Sequence, residues 1–447
     1  MNTFIIGGVF LKIPNLILAT TILFISNLSV RILGFIYKIF LSHSIGEAGL
    51  GVYHIIFNFL MICLALTTTG IPTSLSHYIS KKNATKDNRG RNIIFIATIY
   101  ISLSISFLLA FLVFVSSKFL SSILLNDKSM TPLILSMIPA IITITFSNTL
   151  RGYYYGMKSV SIPAIGQVLE QISRILFVYF CISLINNSSL NCYIALIGIS
   201  VGELVNIIFM IIFLYISPYF ENRYTMNCKD FFNACSNILK NSIPITLNKM
   251  VSTLIHSLCS IIIPSRLLLS GMTYDESLGI YGIISGMVIP LVYIPFTLGS
   301  ALVVNLIPSI SQDVTLNNYK RVKLKSLFAI IISLISGGFT SILFYFYSHE
   351  ICMYIFHNSL AGIYLKSMFL VPLFITLNQT ITTILHSLSK EISSSFVTIL
   401  FLSIQLILVY IFTPFADLNI FAYIYTLTLI SFLTFISQFF ILIRTLK

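Results

Sequence analysis

Long stretches without Asp, Glu, Lys or Arg set the pattern of elements along this chain. Eight of them are long enough for a membrane-spanning helix: 48–80, 92–117, 129–150, 277–312, 326–349, 367–389, 392–416 and 418–443. About 20 mostly apolar residues cross the hydrocarbon core, so each stretch predicts one span. Four further apolar stretches contain interior charges: near 14–41, 161–185, 192–217 and 237–265. The pattern therefore predicts an all-α polytopic membrane protein with about twelve transmembrane helices.

The two halves of the chain repeat the same order of residues. Leu50-Gly51-Val52-Tyr53 and Leu278-Gly279-Ile280-Tyr281 each begin a predicted span, at an offset of 228 residues. Pro139 and Pro372 lie in the fourth and tenth spans. Six crossings are an even number, so both halves share one orientation in the membrane, as in transporters built from parallel repeats. The predicted domains are an N-terminal six-helix lobe at 1–217, a cytoplasmic linker at 218–236 and a C-terminal six-helix lobe at 237–447.

Composition and charge exclude a soluble domain. Hydrophobic residues make up 57% of the chain and charged residues only 9%, whereas soluble domains carry about 25% charge. Of the 26 Lys and Arg residues, eighteen fall in loops of one side, four in loops of the other and four within spans. Because the side rich in Lys and Arg is cytoplasmic, we expect a plasma-membrane protein with both termini in the cytoplasm. Such scattered basic loops are typical of contact with anionic lipid and not of nucleic-acid binding.

Four cations interrupt the predicted spans, where contact with lipid is unfavourable: Arg31, Lys38, Arg174 and Lys249. A Lys or Arg at a helix centre costs about 2.5–3.5 kcal/mol. Arg31 and Lys38 are two helical turns apart and so lie on one face of the first span, and Lys249 lies in the seventh, its repeat counterpart. We expect them to line a cleft between the lobes and to attract an anionic substrate. Alternatively, the long side chains of Lys38 and Lys249 reach an interface.

A polar stripe runs along the predicted fifth span. Gln167, Glu170, Gln171 and Arg174 recur at the spacing of one helix face. We expect them to line a cavity in the N-terminal lobe, with Glu170 and Arg174 forming either a structural ion pair or a substrate or ion site. Glu203, in the sixth span, has no evident partner in the sequence. It is a candidate for Na+ or H+ coupling, together with Glu170, or for a protonated carboxyl group in a helix contact.

A cluster of three tyrosines follows the fourth predicted span. Tyr153, Tyr154 and Tyr155 come directly after Arg151 and Gly152. Tyr is enriched at membrane–water interfaces. We therefore expect the cluster to anchor this span at the cytoplasmic interface.

The motifs for nucleotide and metal chemistry that we sought do not occur in the sequence. It has no G-x-x-x-x-G-K-[ST] phosphate loop and no H-E-x-x-H zinc motif. The seven cysteines lack zinc-ligand spacing and lie mostly in or beside apolar segments. We therefore expect a protein that is not an enzyme, that has no metal or other cofactor, and that binds no nucleotide.

Three stretches of the N-terminal half are similar to a known family. They are SVRILGFIYK (29–38) with IGEAGLGVY (45–53), TGIPTSLS (69–76), and RGYYYGMK (151–158) followed by QVLEQ (167–171). These motifs resemble the stage V sporulation protein B branch of the multidrug/oligosaccharidyl-lipid/polysaccharide (MOP) exporter superfamily, which is related to lipid II flippases. The resemblance implies a MATE/MOP-like fold with two lobes that works by alternating access.

The resemblance also implies a substrate and a site. The substrate would be a polyprenyl-pyrophosphate-linked saccharide or a peptidoglycan precursor, flipped from the inner to the outer leaflet for cell-wall, spore-cortex or polysaccharide synthesis. Arg31 and Lys38 occupy positions that are basic in the family, and with Lys249 they would engage the pyrophosphate while the polyprenyl tail stays in lipid. The implied partners are this anionic lipid-linked saccharide and the membrane lipids. The alternatives are a cation-coupled multidrug or small-molecule exporter and a membrane-embedded glycan polymerase or transferase.

Overall fold

A computed structural model describes residues 15–125, 127–185, 188–216, 227–295, 310, 313–314, 316, 318–388 and 390–446. Within these ranges the chain forms helices and short connections and contains no strand. The α-helices are α1 (Asn15–Thr67), α2 (Gly70–Ala84), α3 (Asn88–Leu124), α4 (Thr131–Ser136), α5 (Ile138–Gly156), α6 (Ser161–Ile185), α7 (Ser188–Ile216), α8 (Cys228–Leu269), α9 (Tyr274–Gly282), α10 (Ile289–Val292), α11 (Tyr319–Phe356), α12 (Ser359–Ser367), α13 (Val371–Ser387), α14 (Glu391–Phe412) and α15 (Asn419–Leu446). Helices suit a membrane because they satisfy their own backbone hydrogen bonds.

The described helices account for the predicted number of spans. Ten segments are long and apolar enough to cross a membrane, and α12 with α13, bent by 53°, adds an eleventh. The first of the ten runs for 60 residues, Ile25–Ala84, about three times the length that one crossing needs. Gly46, with φ 76° and ψ 178°, breaks it into two spans, in a conformation that is essentially restricted to glycine. The described part of the chain therefore accommodates twelve spans.

The internal repeat is visible in the helices. The fourth span is broken between α4 and α5, and the tenth between α12 and α13; in both, a proline occupies the first turn of the second helix, where its missing N–H is tolerated. These prolines are Pro139 and Pro372, the pair matched in the sequence. The third and ninth spans, α3 and α11, have 37 and 38 residues, and the sixth and twelfth, α7 and α15, have 29 and 28.

Helix α8 connects the lobes. It begins at Cys228, so the second part of the predicted linker 218–236 is helical, and residues 217–226 lie outside the described residues. Along its length it packs against α1, α2 and α3 of the N-terminal lobe and against α9 and α14 of the C-terminal lobe. The seventh span thus touches both lobes.

Buried apolar side chains form three clusters. The largest joins both lobes, because it contains Leu50 and Ile55 of α1 together with Leu278 and Ile284. The other two are local: one packs helices of the N-terminal lobe against the start of α8, and one packs α11, α13 and α15 of the C-terminal lobe. The lobes meet near Gly46, and we call this end of the molecule the Gly46 end. Helix α14 begins at the opposite end, which we call the Lys390 end.

Candidate functional site

A cavity of about 340 Å³ lies between the two lobes. Helix α1 contributes residues from both sides of Gly46, α6 contributes Gln171 and Arg174, and the C-terminal lobe contributes residues around α10. We name it the central cavity; its polar and aromatic lining residues are Arg31, Phe35, Tyr37, Lys38, Tyr53, His54, Phe57, Gln171, Arg174 and Tyr293. Arg31 and Lys38 both line this cavity, and their expected role in binding an anionic substrate stays a prediction.

The central cavity is positively charged. Arg31, Lys38 and Arg174 line it, and none of the described lining residues is acidic. Arg174 donates to Glu170 over 2.6 Å, whereas Lys38 takes part in none of the ion pairs found among the described residues. Cations gathered within low-dielectric walls attract and concentrate anions. The side chain of Lys249 lies outside the described residues, so its expected place beside this cavity stays a prediction.

The wall from the C-terminal lobe is built on an irregular helix. Residues Ile283–Val288 form a π-helical segment between α9 and α10, and all of them are buried. Pro290, Tyr293 and Ile294 follow it and face the cavity. Segments of π-helix are rare and often occur at functional sites, and here the segment orients the side chains that complete the cavity.

The two lobes are in close contact at the Gly46 end. A side chain on Gly51 would collide with the carbonyl oxygen of Leu278, and one on Gly282 with that of Glu47. His43 Nε2 lies 3.1 Å from the Ile355 carbonyl oxygen, and the His43 and His357 rings are 5.4 Å apart.

A further hydrogen bond joins the lobes at this end. Asn358, in the connection between α11 and α12, donates to Glu47. We name these interactions together the lobe contact. They link the turn between the first two spans to the C-terminal lobe and close the central cavity toward the Gly46 end.

Beside the cavity, six side chains form a buried polar network in the N-terminal lobe. Arg151 donates to Glu170 over 2.7 Å and to both Glu203 oxygens over 3.3 Å, and Arg174 donates to the other Glu170 oxygen. Asn206 donates to Glu203 over 3.4 Å and to the Ser147 hydroxyl over 3.1 Å. Two guanidinium groups face two carboxylates, so the charges of this N-lobe network cancel. Such pairing is what allows ions to be buried at all.

The network corrects three expectations from the sequence. Glu203, which lacks an evident partner in the sequence, pairs with Arg151. Arg151, one of the eighteen basic residues that the charge pattern assigns to cytoplasmic loops, is buried within α5. The uncharged stretch 129–150 ends at residue 150 because a charge follows it, but the helix continues because that charge is neutralised. Glu170 was expected to line a cavity; it is instead buried between Arg151 and Arg174, as in the structural ion-pair interpretation.

A second cavity, of about 550 Å³, adjoins the network within the N-terminal lobe. Its lining includes Thr73 and His77 of α2, Asn148 and Arg151 of α5, and Gln167 of α6. The predicted polar stripe on α6 is therefore divided: Gln171 and Arg174 face the central cavity, Gln167 faces this N-lobe cavity, and Glu170 lies between them.

The tyrosine cluster is not the predicted interfacial anchor. The rings of Tyr153 and Tyr154 are buried, and the Tyr154 hydroxyl donates to the Met210 carbonyl oxygen over 2.6 Å. Only Tyr155 keeps substantial exposure, and it lines the N-lobe cavity. The anchor interpretation is wrong because α5 continues to Gly156 and turns two of the three rings toward α3 and α7.

One short sequence pattern resembles a hydrolase motif but lies in a different structural context. Gly198-Ile199-Ser200-Val201-Gly202 matches the G-x-S-x-G pattern of hydrolase nucleophiles, which places serine on a sharp turn from strand to helix. Here it lies in the interior of α7, and Ser200 is buried. The two glycines lie against Val178 and the backbone of Glu170. They therefore allow α6 and α7 to pack closely, and the pattern carries no catalytic geometry.

Sequence comparisons place this architecture among known proteins. A family profile described as polysaccharide biosynthesis protein matches residues 18–314. Stage V sporulation protein B of Bacillus subtilis (strain 168) is 24% identical over 355 residues, which cover 78% of this chain and 68% of that protein. Lipid II flippase MurJ of the same organism is 26% identical over 171 residues, covering 36% of this chain and 31% of that protein.

Solved structures share the fold at low sequence identity. An inward-facing MATE-family multidrug transporter of the MOP superfamily aligns with a TM-score of 0.73 and 14% identity, covering 94% of this chain and 98% of that one. An MOP superfamily transporter from Pyrococcus furiosus aligns with a TM-score of 0.68 and 13% identity over 96% of both chains. The predicted fold is confirmed. The chain is a multi-pass membrane protein that belongs to the polysaccharide biosynthesis protein family.

Proposed function

We propose that this protein is a flippase that moves a polyprenyl-pyrophosphate-linked saccharide or peptidoglycan precursor from the inner to the outer leaflet. The observation that carries the proposal is the central cavity, with three cationic side chains and no acidic one among its described lining residues. The lipid II flippase among the relatives is named for a substrate of this class and supports the same proposal. The products would serve cell-wall, spore-cortex or polysaccharide synthesis.

The chemistry of the cavity suits a pyrophosphate. Arg31 and Lys38 bring two positive charges, which complement the two negative charges of a pyrophosphate diester, and Lys249 is proposed to add a third. Arg174, held by Glu170, would present the rest of its guanidinium group to the same anion. Hydrogen bonds to charged groups contribute about 1.5–3 kcal/mol each. Loss of one cation would then weaken binding about 10- to 150-fold.

The proposed transport cycle is alternating access. With both termini in the cytoplasm, as the positive-inside rule favours, the Gly46 end would face outward. The lobe contact would then close the central cavity toward the outside, and release of the substrate would require the lobes to separate there. No bond of the substrate is made or broken in this cycle, so the protein would need no catalytic group and no cofactor.

A transport assay tests the proposal. The purified protein is reconstituted in liposomes with a fluorescent polyprenyl-pyrophosphate saccharide, and translocated substrate is quenched by a membrane-impermeant reductant. We expect Arg31→Ala and Lys38→Ala each to reduce transport at least tenfold. Lys118→Ala, which removes an exposed cation of α3 outside the cavity, is the matched control. Wild-type rates in both cavity variants would refute the proposal, and formation of a new glycosidic bond would favour the polymerase or transferase alternative.

A cation-coupled exporter is the second candidate, and the sharing of Arg151 by Glu170 and Glu203 favours it. A proton or Na+ taken up by these carboxylates would disturb the N-lobe network. Glu170→Gln distinguishes the two: under the flippase proposal with a structural ion pair, the variant keeps most of its transport. Complete loss of transport, together with loss of any response to an imposed H+ or Na+ gradient, would favour coupling.

A further inference from the structure

We propose that a groove at the Lys390 end of the C-terminal lobe binds the phosphate group of an anionic membrane phospholipid. The groove has a volume of about 570 Å³ and lies between the start of α14 and the end of α15. We name it the lipid groove; its lining residues are Lys390, Ser393, Phe440, Ile441, Arg444 and Thr445. Its volume falls within the range of pockets that hold small ligands.

The polar side of the groove has the groups that a phosphate requires. Lys390 and Arg444 take part in no ion pair among the described residues. Lys390 is also the residue before the first turn of α14, which has no side-chain cap, so the first N–H groups of this helix lack an intrahelical partner. The helix terminus therefore adds backbone donors to the two cations. Glu391 is the one acidic residue of this turn, and it does not line the groove.

The apolar side of the groove indicates an amphipathic ligand and not a free anion. Phe440 and Ile441 line it, and Phe440 is 66% exposed; Ile392, in the first turn of α14 but outside the groove lining, is 88% exposed. Phe396 follows one turn later and is also exposed. A soluble phosphate would leave these side chains without a partner, whereas the acyl chains of a lipid would cover them while its headgroup contacts Lys390 and Arg444.

The position of the groove suits a membrane interface. Val322 of α11, Leu385 of α13 and Leu442 of α15 pack in one cluster, so the start of α11 and the end of α15 lie at the same end of the lobe. The basic residues at the start of α11 therefore lie near the level of the groove; they are Lys320, Arg321, Lys323 and Lys325. Basic pockets between transmembrane helices at such a level bind phospholipid headgroups.

The lipid groove is separate from the central cavity. Its lining comes from α14, α15 and the residue before α14, with no contribution from the N-terminal lobe. A bound phospholipid would tie the last two spans together at their Lys390 end, and it would do so whether or not the central cavity holds a substrate. The inference therefore does not depend on the proposed function.

Native mass spectrometry of the full-length protein tests the inference. The protein is titrated in detergent with phosphatidylglycerol, with phosphatidylcholine and with inorganic phosphate. A basic side chain near an anionic lipid contributes roughly fivefold in affinity, so we expect Lys390→Ala with Arg444→Ala to bind phosphatidylglycerol roughly 25-fold more weakly. The matched control, Lys320→Ala with Lys323→Ala, removes the same charge from exposed positions of α11 and should bind like the wild type.

Three results would overturn the inference. The first is an equal loss in both double variants, which would indicate general surface electrostatics. The second is equal binding of phosphatidylcholine and phosphatidylglycerol. The third is binding of inorganic phosphate as tight as that of phosphatidylglycerol, which would make the groove a site for a free anion. Lys390→Arg with Arg444→Lys keeps both charges and should retain most of the binding, so a folding defect cannot be mistaken for loss of the site.

Discussion

Removing Arg151 tests how the N-lobe network contributes to stability. Arg151 contacts two carboxylates at 2.7 and 3.3 Å, and the side chains of Arg151, Glu170 and Glu203 are only 14%, 8% and 5% exposed. In Arg151→Ala, Glu170 keeps Arg174, and Glu203 keeps only the amide of Asn206. The network then carries one uncompensated negative charge in a buried position.

The size of the effect follows from burial. Removing one partner of a buried ion pair costs about 3–5 kcal/mol, because the remaining charge is left without compensation. An exposed pair offers the contrast: Arg89 and Asp230 lie 3.2 Å apart, but both side chains are 46% exposed. Such pairs contribute about 0–1 kcal/mol. We therefore expect Arg151→Ala to destabilise the protein several times more than Arg89→Ala.

Thermal unfolding in detergent with a thiol-reactive dye measures this difference. Cys63, Cys192, Cys259 and Cys352 are buried and would react as the helices separate. Arg151→Met combined with Glu203→Gln removes one charge of each sign and should recover much of the lost stability. If Arg151→Ala lowered the transition temperature no more than Arg89→Ala, the network would not be a source of stability and the reasoning from burial would fail.

Two further predictions concern the lobe contact and the ion pair between Lys82 and Asp87. In a protein whose native cysteines have been replaced, His43→Cys with His357→Cys should be joined by a short bis-methanethiosulfonate cross-linker, since the two native rings are 5.4 Å apart. The cross-link should hold the Gly46 end closed and stop transport until a reductant is added; undiminished transport after cross-linking would show that the lobes need not separate there. Lys82 donates to Asp87 over 2.7 Å and, with the Gly90 N–H, lowers the pKa of that carboxyl group. This stabilisation is present above the unfolded pKa of about 3.9 and is lost as pH falls through the lower folded value. Lys82→Ala should therefore make the transition temperature less sensitive to acid. The corresponding change in the free energy of unfolding should stay below about 1 kcal/mol, because both side chains are over a third exposed. An unchanged dependence of the transition temperature on pH would contradict this assignment.

The number and order of the helices could be predicted from the sequence, because hydrophobic stretches and prolines mark single spans and the repeat appears as matching residues in the two halves. The break in spans 4 and 10, for example, falls next to Pro139 and Pro372. The sequence was also sufficient to place Arg31 and Lys38 on one cavity wall, since seven residues of helix return to the same face.

The pairing of Arg151 with Glu203 could not be predicted in the same way. The two residues are 52 positions apart and on different helices, and each looks unpaired when its own span is considered alone. A charge that ends an uncharged stretch indicates the end of a span only if nothing neutralises it. Counting the acids and bases of α5, α6 and α7 together, where two arginines match two glutamates, is the signal that could have revealed the pairing.

Where α1 and α9 cross, Gly51 and Gly282 leave only hydrogen atoms between two polypeptide backbones. Under the proposed transport cycle, bulk introduced there would act against the closed form, because it would meet the facing backbone while the two helices are in contact. The volume of the residue at position 51 would then act as a graded control over how long the protein stays closed, independently of how tightly the central cavity binds its substrate.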